Sequence, residues 1–486
     1  MPVSTGFHPE DIIRFLPETI LAVAGTLLMV LGAVTRRRKS VLFGNISLVA
    51  LIAAIGGAFW ANANGGPAFG GLLSVDGFAT FFRVVVIAAG ILTVFPSYRF
   101  LARQDAETCE FHALLLFSVL GQCLMAASND LFMIFIGLEV SSIASYVLAG
   151  YLRNDKNANE AALKYFLLGS FATGFFLYGV ALIYGATGSV NLTVVRTAIL
   201  HGASDPIFLG VAAALIFVGL AFKVSAAPFQ IWAPDVYQGA PTPVAAFLST
   251  GPKAAAFAAF LRIFVTAFQP IGSRWEPLVW GVALASMCVG NFAALWQTNV
   301  KRLLAYSSIA HAGYVLVALA ANSDTGTAAV MFYLAAYVCT NIGAFSCVAY
   351  LSGTGERYQS VEDFKGLGQR QPLAAAMFTI FLLSLIGVPL TGGFFGKFYI
   401  FKAALESRLI WLTVLGLLNS AVAAYYYLRI LVMMYMHEPT EATEAAEPLT
   451  PSVRFALIVP ALATLVLGIF PTWILEFAGK SAALVK

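Results

Sequence analysis

Residues 207–229 read IFLGVAAALIFVGLAFKVSAAPF, a run long enough to cross a bilayer whose only ionisable side chain is Lys223. About 20 consecutive apolar residues form one helical crossing. A lysine at the centre of such a helix costs roughly 2.5–3.5 kcal/mol on the insertion scale. An ionisable group placed there marks a functional site with a partner or a water-filled path. With the segment taken as 206–236, Lys223 falls near its middle. Pro228 follows closely, removes a backbone hydrogen bond and breaks the helix. Broken backbone at membrane depth is tolerated where it lines a cavity or packs on protein.

Runs of the same kind fill the chain. Of its 486 residues, 60% are hydrophobic and 11% charged, against about 25% charged in soluble domains. The pattern predicts one all-α polytopic membrane bundle rather than several soluble domains. Fourteen spans lie near 12–34, 41–61, 72–96, 111–128, 130–151, 159–185, 206–236, 240–268, 277–298, 301–321, 327–351, 371–405, 409–436 and 453–476. The seventh, eighth and twelfth are longer than one crossing needs and contain Pro or Gly, so they read as interrupted helices. No basic region precedes the first apolar run, so it is read as a membrane helix and not a cleaved signal peptide. The five cysteines show no metal-ligand spacing and behave as small hydrophobes. Neither GxxxxGK[ST] nor GxGxxG occurs. The basic residues are dispersed over short loops, which excludes a nucleic-acid surface.

Those loops predict the orientation. Arg36, Arg37, Arg38 and Lys39 follow span one, Arg99 and Arg103 span three, and Arg153 and Lys156 span five. Lys301 and Arg302 follow span nine, and Arg357, Lys365 and Arg370 span eleven. Loops after even spans hold only Arg196, Arg274 and Arg408. Lysine and arginine are enriched in cytoplasmic loops, so both termini are expected outside, in the periplasm. The acidic stretch MHEPTEATEAAEPLTP, 436–451, reads as a solvated loop.

The informative residues are charges inside the spans: Glu139 in span five, Lys164 in six, Lys223 in seven, Lys253 in eight, His311 in ten and Lys397 in twelve. Lysine when desolvated, and histidine natively, change protonation near neutral pH, whereas arginine does not. The set therefore favours a proton path over a fixed anion site. Plainer readings exist one by one. Lys164 could snorkel to the cytoplasmic edge, Lys253 could lie near the surface, and His311 could be a bonded core histidine. Together, four lysines would cost on the order of 10 kcal/mol, comparable with a domain's whole stability. Span twelve, like span seven, is broken, by Pro389, Gly392 and Gly393. Lys223 and Lys397 are 174 positions apart, and Glu139 and His311 are 172 apart. The common spacing suggests that spans four to eight repeat as nine to thirteen, inverted because five crossings reverse direction. Spans five and six share a short loop, so Glu139 and Lys164 are expected to pair, directly given tilt or an offset loop, or else through a bridging water.

At these residues the chain resembles a known family. FKVSAAPFQIWAPDVYQGAPTPVAAFLSTGPKAA at 222–255, VKRLLAYSSIAHAGY at 300–314 and GVPLTGGFFGKF at 387–398 resemble the antiporter-like membrane subunits of bacterial respiratory complex I, the NADH:quinone oxidoreductase. The resemblance is best from span four to span thirteen. It implies fourteen helices with two inverted five-helix repeats, at 111–268 and 277–436. Three helices precede them within 1–110, and a terminal helix follows within 453–486. It implies proton translocation driven by quinone reduction elsewhere in the complex. Glu139 and Lys164 would be a modulating pair, Lys223 the key proton carrier, Lys253 and His311 the central link, and Lys397 the lysine of the exit half. No cofactor or metal is expected on this chain. NADH, FMN, iron–sulfur clusters and quinone would belong to partner subunits, and neighbouring antiporter-like and small membrane subunits would be its partners in the inner-membrane lipid. The chain ends soon after span fourteen, which resembles members without a long lateral helix. Two other readings are a subunit of a multi-subunit monovalent cation/proton antiporter and a structural membrane scaffold.

Overall fold

The computed structural model describes residues 9–35, 41–106, 108–202 and 205–483. The basic cluster Arg36–Lys39 lies outside them. After a short helix at Pro9–Arg14 come three long ones: α1 (Leu16–Thr35), α2 (Val41–Ala63) and α3 (Gly77–Arg103). Next come α4 (Cys109–Ala127), α5 (Leu131–Ala149), α6 (Lys156–Thr187), α7 (Pro206–Val224), α8 (Trp232–Gly239), α9 (Thr242–Leu248) and α10 (Gly251–Phe260), the last running into a π turn at Leu261–Ala267. The second series is α11 (Gly272–Leu295), α12 (Val300–Ala320), α13 (Asp324–Leu351), α14 (Pro372–Ile386), α15 (Gly392–Glu406) and α16 (Ile410–Met436). The chain closes with α17 (Pro451–Ile469) and α18 (Thr472–Ala483).

Among the described residues, thirteen helical stretches are long and apolar enough to cross a membrane. The short α14, with α15 beyond its break, supplies the fourteenth crossing. The stretch from Thr242 to Ala267, α12 and α13 are buried almost throughout and form the bundle centre, while α1, α6 and α16 expose apolar flanks. Arg83 of α3 is an inter-helix partner. It is fully buried and its Nε donates to Glu18 of α1 at 2.8 Å.

The repeat has a definite register. Asp130 caps α5 by accepting from the Phe132 and Met133 amides, and Asn299 caps α12 by accepting from Arg302. Asp130 bridges to Asn191, and Asn299 to Ser360. Gly121 of α4 packs where a Cβ would strike the Gly137 carbonyl and Ser141. Gly290 of α11 does the same against the Tyr306 carbonyl, at 2.7 Å, and Ala310. In each of these relationships the second residue lies 169 positions after the first: Asp130 to Asn299, Asn191 to Ser360, Gly121 to Gly290. The first bridge joins the loops after spans four and six, and the second those after spans nine and eleven, so the two units face opposite ways.

This register corrects the spacing drawn from sequence. Glu139 corresponds to Ser308, and His311 to Ser142. The spacing of 172 paired residues one helical turn out of step, because the charges themselves are not duplicated. The stretch 436–451 is largely exposed, as a solvated loop is, and it is tethered at several points. Arg99 and Arg103 pair with Glu447, Arg99 Nη1 donates to the Pro448 carbonyl at 2.9 Å, and Arg370 pairs with Glu444 at 2.8 Å. Two of its acidic residues, Glu444 and Glu447, thus meet basic residues at the end of α3 and in the connection after α13.

Candidate functional site

Lys223 is the penultimate residue of α7 and only 3% exposed. Its Nζ donates to Ser142 Oγ at 2.8 Å and to the Tyr165 hydroxyl at 3.0 Å. Ser225 ends α7 in the left-handed conformation, so the ammonium sits at a helix C-terminus, where the peptide dipoles favour a cation. At the break the Phe222 carbonyl accepts from the Ser225 amide at 3.0 Å instead of from a residue four positions on, and also from Trp232 Nε1 at 2.9 Å. The Trp232 ring stacks on Tyr165 with centroids 4.4 Å apart. The far side of the break therefore holds the lysine's own partner in place.

Tyr237 packs next to this group. Its ring meets Trp232 edge-on at 5.8 Å and faces the Lys253 ammonium at 5.8 Å. Lys253 is 2% exposed, deep in the bundle, and donates to Ser308 Oγ at 2.5 Å and to the Ser308 carbonyl at 3.2 Å. His311, one turn further along α12, is hydrogen-bonded through Nδ1 to the Tyr333 hydroxyl at 2.5 Å, and its Nε2 lies 3.3 Å from the Tyr427 hydroxyl. A small cavity lined by His311, Tyr333, Tyr337, Thr340 and Ser384 lies between the histidine and the second helix break.

At that break α14 ends on left-handed Gly387, as α7 ends on Ser225. Counted back from those ends, Leu385 stands where Lys223 does, 162 positions on rather than 169, because the second repeat is shorter ahead of its break. Lys397 comes from beyond the break, yet its Nζ donates back to the Leu385 and Ile386 carbonyls at 3.0 and 2.8 Å, and to Ser420 Oγ at 2.9 Å. Both repeats thus place an ammonium at the carbonyl end of a broken helix, although one lysine precedes its break and the other follows it.

The expected Glu139–Lys164 pair does not form. Glu139 lies one turn before Ser142 on α5 and is the acidic group acting electrostatically on Lys223. Its buried Oε1 meets no hydrogen-bonding partner among the described residues. Lys164 bonds instead to Asp235 Oδ2 at 2.8 Å and to Glu160 at 2.7 Å, with 41% of its side chain exposed. Tyr165, about 100° further round α6, takes the inward place and leaves Lys164 facing α8. Asp235 also accepts from Arg302 at 2.7 Å. This cluster lines a cavity of about 530 Å³ together with Asp155, Asn299 and Glu356, on the side bearing the basic loops.

Six positions escaped the sequence reading: Ser142, Tyr165, Tyr237, Tyr333, Tyr427 and Asp235. A signal existed for some. Ser-Ser-Ile-Ala occurs at 141–144 and at 307–310, and each copy supplies a serine to a buried lysine. Tyr165 and Tyr333 stand ten residues past the caps of α6 and α13, Asp155 and Ser323. Among the described residues, no group of three or more His, Cys, Asp or Glu is arranged to hold a metal ion.

Residues 128–423 match the family model described as the transmembrane region of NADH:quinone oxidoreductase and Mrp antiporters. The chain is 76% identical over 486 residues to NADH-quinone oxidoreductase subunit N 1 of Solibacter usitatus, covering all of both chains. It is 43% identical to NADH-quinone oxidoreductase subunit N of Trichlorobacter lovleyi, covering 99% of this chain and 98% of the relative. A chain of respiratory complex I from Thermus thermophilus superposes with a TM-score of 0.81 at 36% identity, covering 95% of this chain and 99% of that one. A chain of the Mrp complex from Dietzia, at 23% identity and TM-score 0.82, shares the fold and covers 98% and 97% of the two chains.

Proposed function

The chain belongs to the NADH:quinone oxidoreductase/Mrp antiporter membrane family, on its subunit N branch, and from that premise we propose a proton path through it. As a subunit of NADH:quinone oxidoreductase it translocates protons across the membrane, through a relay of Glu139, Lys164, Lys223, Lys253, His311 and Lys397. Lys164 and Asp235 stand at the water-facing mouth of the cavity on the side of the basic loops. Lys223 holds the proton at the first break, between Ser142 and Tyr165. Lys253 and His311 carry it across the bundle centre by way of Ser308. Lys397 receives it at the second break. Glu139 acts through its field on Lys223.

One observation carries this reading: two equivalent helix breaks, each with a buried ammonium at its carbonyl end and a hydroxyl partner. Hydroxyl and imidazole groups both accept and donate a proton, so the central path is built from transfer-competent groups. Lysine donors favour protons over a metal cation, which needs oxygen ligands. Moving one charge across 100 mV takes about 2.3 kcal/mol. Quinone reduction in partner subunits supplies it, and NADH, FMN, iron–sulfur clusters and quinone are assigned to those partners. The neighbours are other antiporter-like and small subunits of the membrane arm. The lysine and arginine loops face the cytoplasm, and both termini the periplasm of an inner membrane.

The test is Lys223→Ala in the assembled complex, with proton pumping and NADH:quinone reductase activity measured together. Loss of pumping with the complex intact is expected. Normal pumping in that complex rejects the path.

A further inference from the structure

The last helix of each repeat carries, near its end, an arginine that grips the first helix of the same repeat. Arg262 stands in the π turn beyond α10, and its Nε donates to the Ala126 carbonyl, in the last turn of α4, at 3.1 Å. Arg429 stands in the last two turns of α16, and its Nη1 donates to the Leu295 carbonyl, at the end of α11, at 3.3 Å. Its Nη2 donates to the Gln297 carbonyl. Ala126 and Leu295 are 169 positions apart, which is the register of the repeats. Arg262 and Arg429 are 167 apart, and so are Lys253 and Ser420, the residues through which α10 and α16 meet the proposed path. The two grips are therefore one relationship, present twice at opposite ends of the bundle.

In each helix the arginine follows the path residue by nine positions. Nine residues make about two and a half turns, so the two side chains leave the helix on opposite sides. The arginine holds the helix from behind, while in front Lys253 meets Ser308 Oγ at 2.5 Å and Ser420 meets Lys397 at 2.9 Å. Residues 254–261 of the first of these helices read AAAFAAFL, without a polar side chain. Apolar packing there tolerates rotation about the helix axis, whereas a hydrogen bond depends on direction. The Arg262 grip is also reinforced. Its Nη2 reaches the two Asp76 carboxylate oxygens at 2.9 and 3.0 Å and the Ser74 carbonyl at 3.3 Å, and the guanidinium lies 4.8 Å from the Phe78 ring centre. Carbonyls at a helix C-terminus lack helical donors and form the negative end of the dipole, so a guanidinium suits them.

We propose that Arg262 and Arg429 are paired positioning residues, each fixing the rotation of the last helix of its repeat against the carbonyl end of the first. Arg262 keeps Lys253 aimed at Ser308, and Arg429 keeps Ser420 aimed at Lys397. The arginines themselves stay charged and carry no proton. The proposal rests on the reading that Lys253 and Lys397 belong to the proton path. Without its grip α10 can turn about its axis, and a slip of one residue position, about 100°, takes Lys253 away from Ser308. In α16 the Tyr426 hydroxyl also donates to Asn291 at 3.1 Å and the Tyr427 hydroxyl bonds to Ser307, so its rotation depends less on the arginine.

The test uses the whole complex reconstituted in vesicles, with protons pumped per NADH oxidised and the pH profile of pumping as readouts. Arg262→Gln is expected to lower the ratio and displace the profile, because Lys253 loses its bond to Ser308. Arg429→Gln is expected to do the same to a smaller extent. Added to Lys253→Ala, Arg262→Gln is expected to lower the residual ratio no further. A normal ratio and profile in assembled Arg262→Gln overturns the proposal. A further fall in the double variant overturns it as well, since Arg262 would then act other than through Lys253. If Arg262→Gln fails to assemble, Arg429→Gln decides, and an unchanged ratio and profile there overturns the proposal. Lys253→Ala separates the two levels. Normal pumping there rejects the relay itself, whereas defective pumping there with a normal Arg262→Gln rejects only the positioning role.

Discussion

The Lys397 ammonium lies 2.8 Å from the Ile386 carbonyl oxygen, across the break that separates their helices. The contact brings a lysine on the far side of one break to the place that Lys223 holds on the near side of the other. Equivalent positions in the repeats thus carry equivalent chemistry without equivalent residues.

Tyr165 accepts from Lys223 and is braced by Trp232. A hydrogen bond to a charged group is worth about 1.5–3 kcal/mol, so Tyr165→Phe should slow coupled proton transfer about tenfold or more. Initial pumping rates in vesicles, normalised to assembled complex, measure this. An unchanged rate would remove Tyr165 from the path.

Lys164 is partly exposed, and its bonds to Glu160 and Asp235 face the cavity. Exposed ion pairs contribute about 0–1 kcal/mol. Asp235→Asn should therefore assemble normally and reduce pumping less than Lys223→Ala does. A loss as complete as that of Lys223→Ala would show that the cluster carries every proton.

Glu356 and Lys301 form a buried pair, at 3.1 Å, that holds the junction between α8 and α9. Glu356 accepts from the Thr242 amide at 2.9 Å, at the start of α9, and Lys301 donates to the Ala240 carbonyl at 2.7 Å, at the end of α8. Removing one member of a buried pair costs about 3–5 kcal/mol. Glu356→Ala should lower the thermal transition of the purified complex and the yield of assembled subunit. Wild-type stability would contradict the pinning role.

Arg99 and Arg103 hold the Glu447 carboxyl below its ordinary value of 4.5, mainly through the Arg99 hydrogen bond. A carboxylate strengthened as an acid by folding stabilises the docked loop above that ordinary value. It gives up this contribution as pH falls below 4.5 through its folded value. Hydrogen exchange over 437–450 should therefore rise as pH falls below about 4.5, after correction for intrinsic rates. Glu447→Gln should show the loosened loop at pH 7, and protection identical to the parent would exclude the contact.

Much of this arrangement was legible in the amino-acid sequence. Apolar runs of bilayer length, the bias of Lys and Arg among loops, and the interruptions at Pro228 and Pro389 are local properties, so they could be counted. The buried charges stood out for the same reason, since each is costly in its own helix. Partners were another matter. Lys164 and Tyr165 are neighbours in sequence, and only the rotation of α6 decides which one faces Lys223. The Asp235 of the quoted PDVYQG stretch could not be assigned to Lys164 until α8 was placed beside α6.

The sequence by itself determined a fourteen-crossing bundle, its broken helices and the ionisable residues within it, because hydrophobic length and the cost of charge act residue by residue. The tertiary structure alone decided the register between the repeats and the partner of each lysine. Those depend on which helix faces meet, and such relationships exist only once the helices are packed.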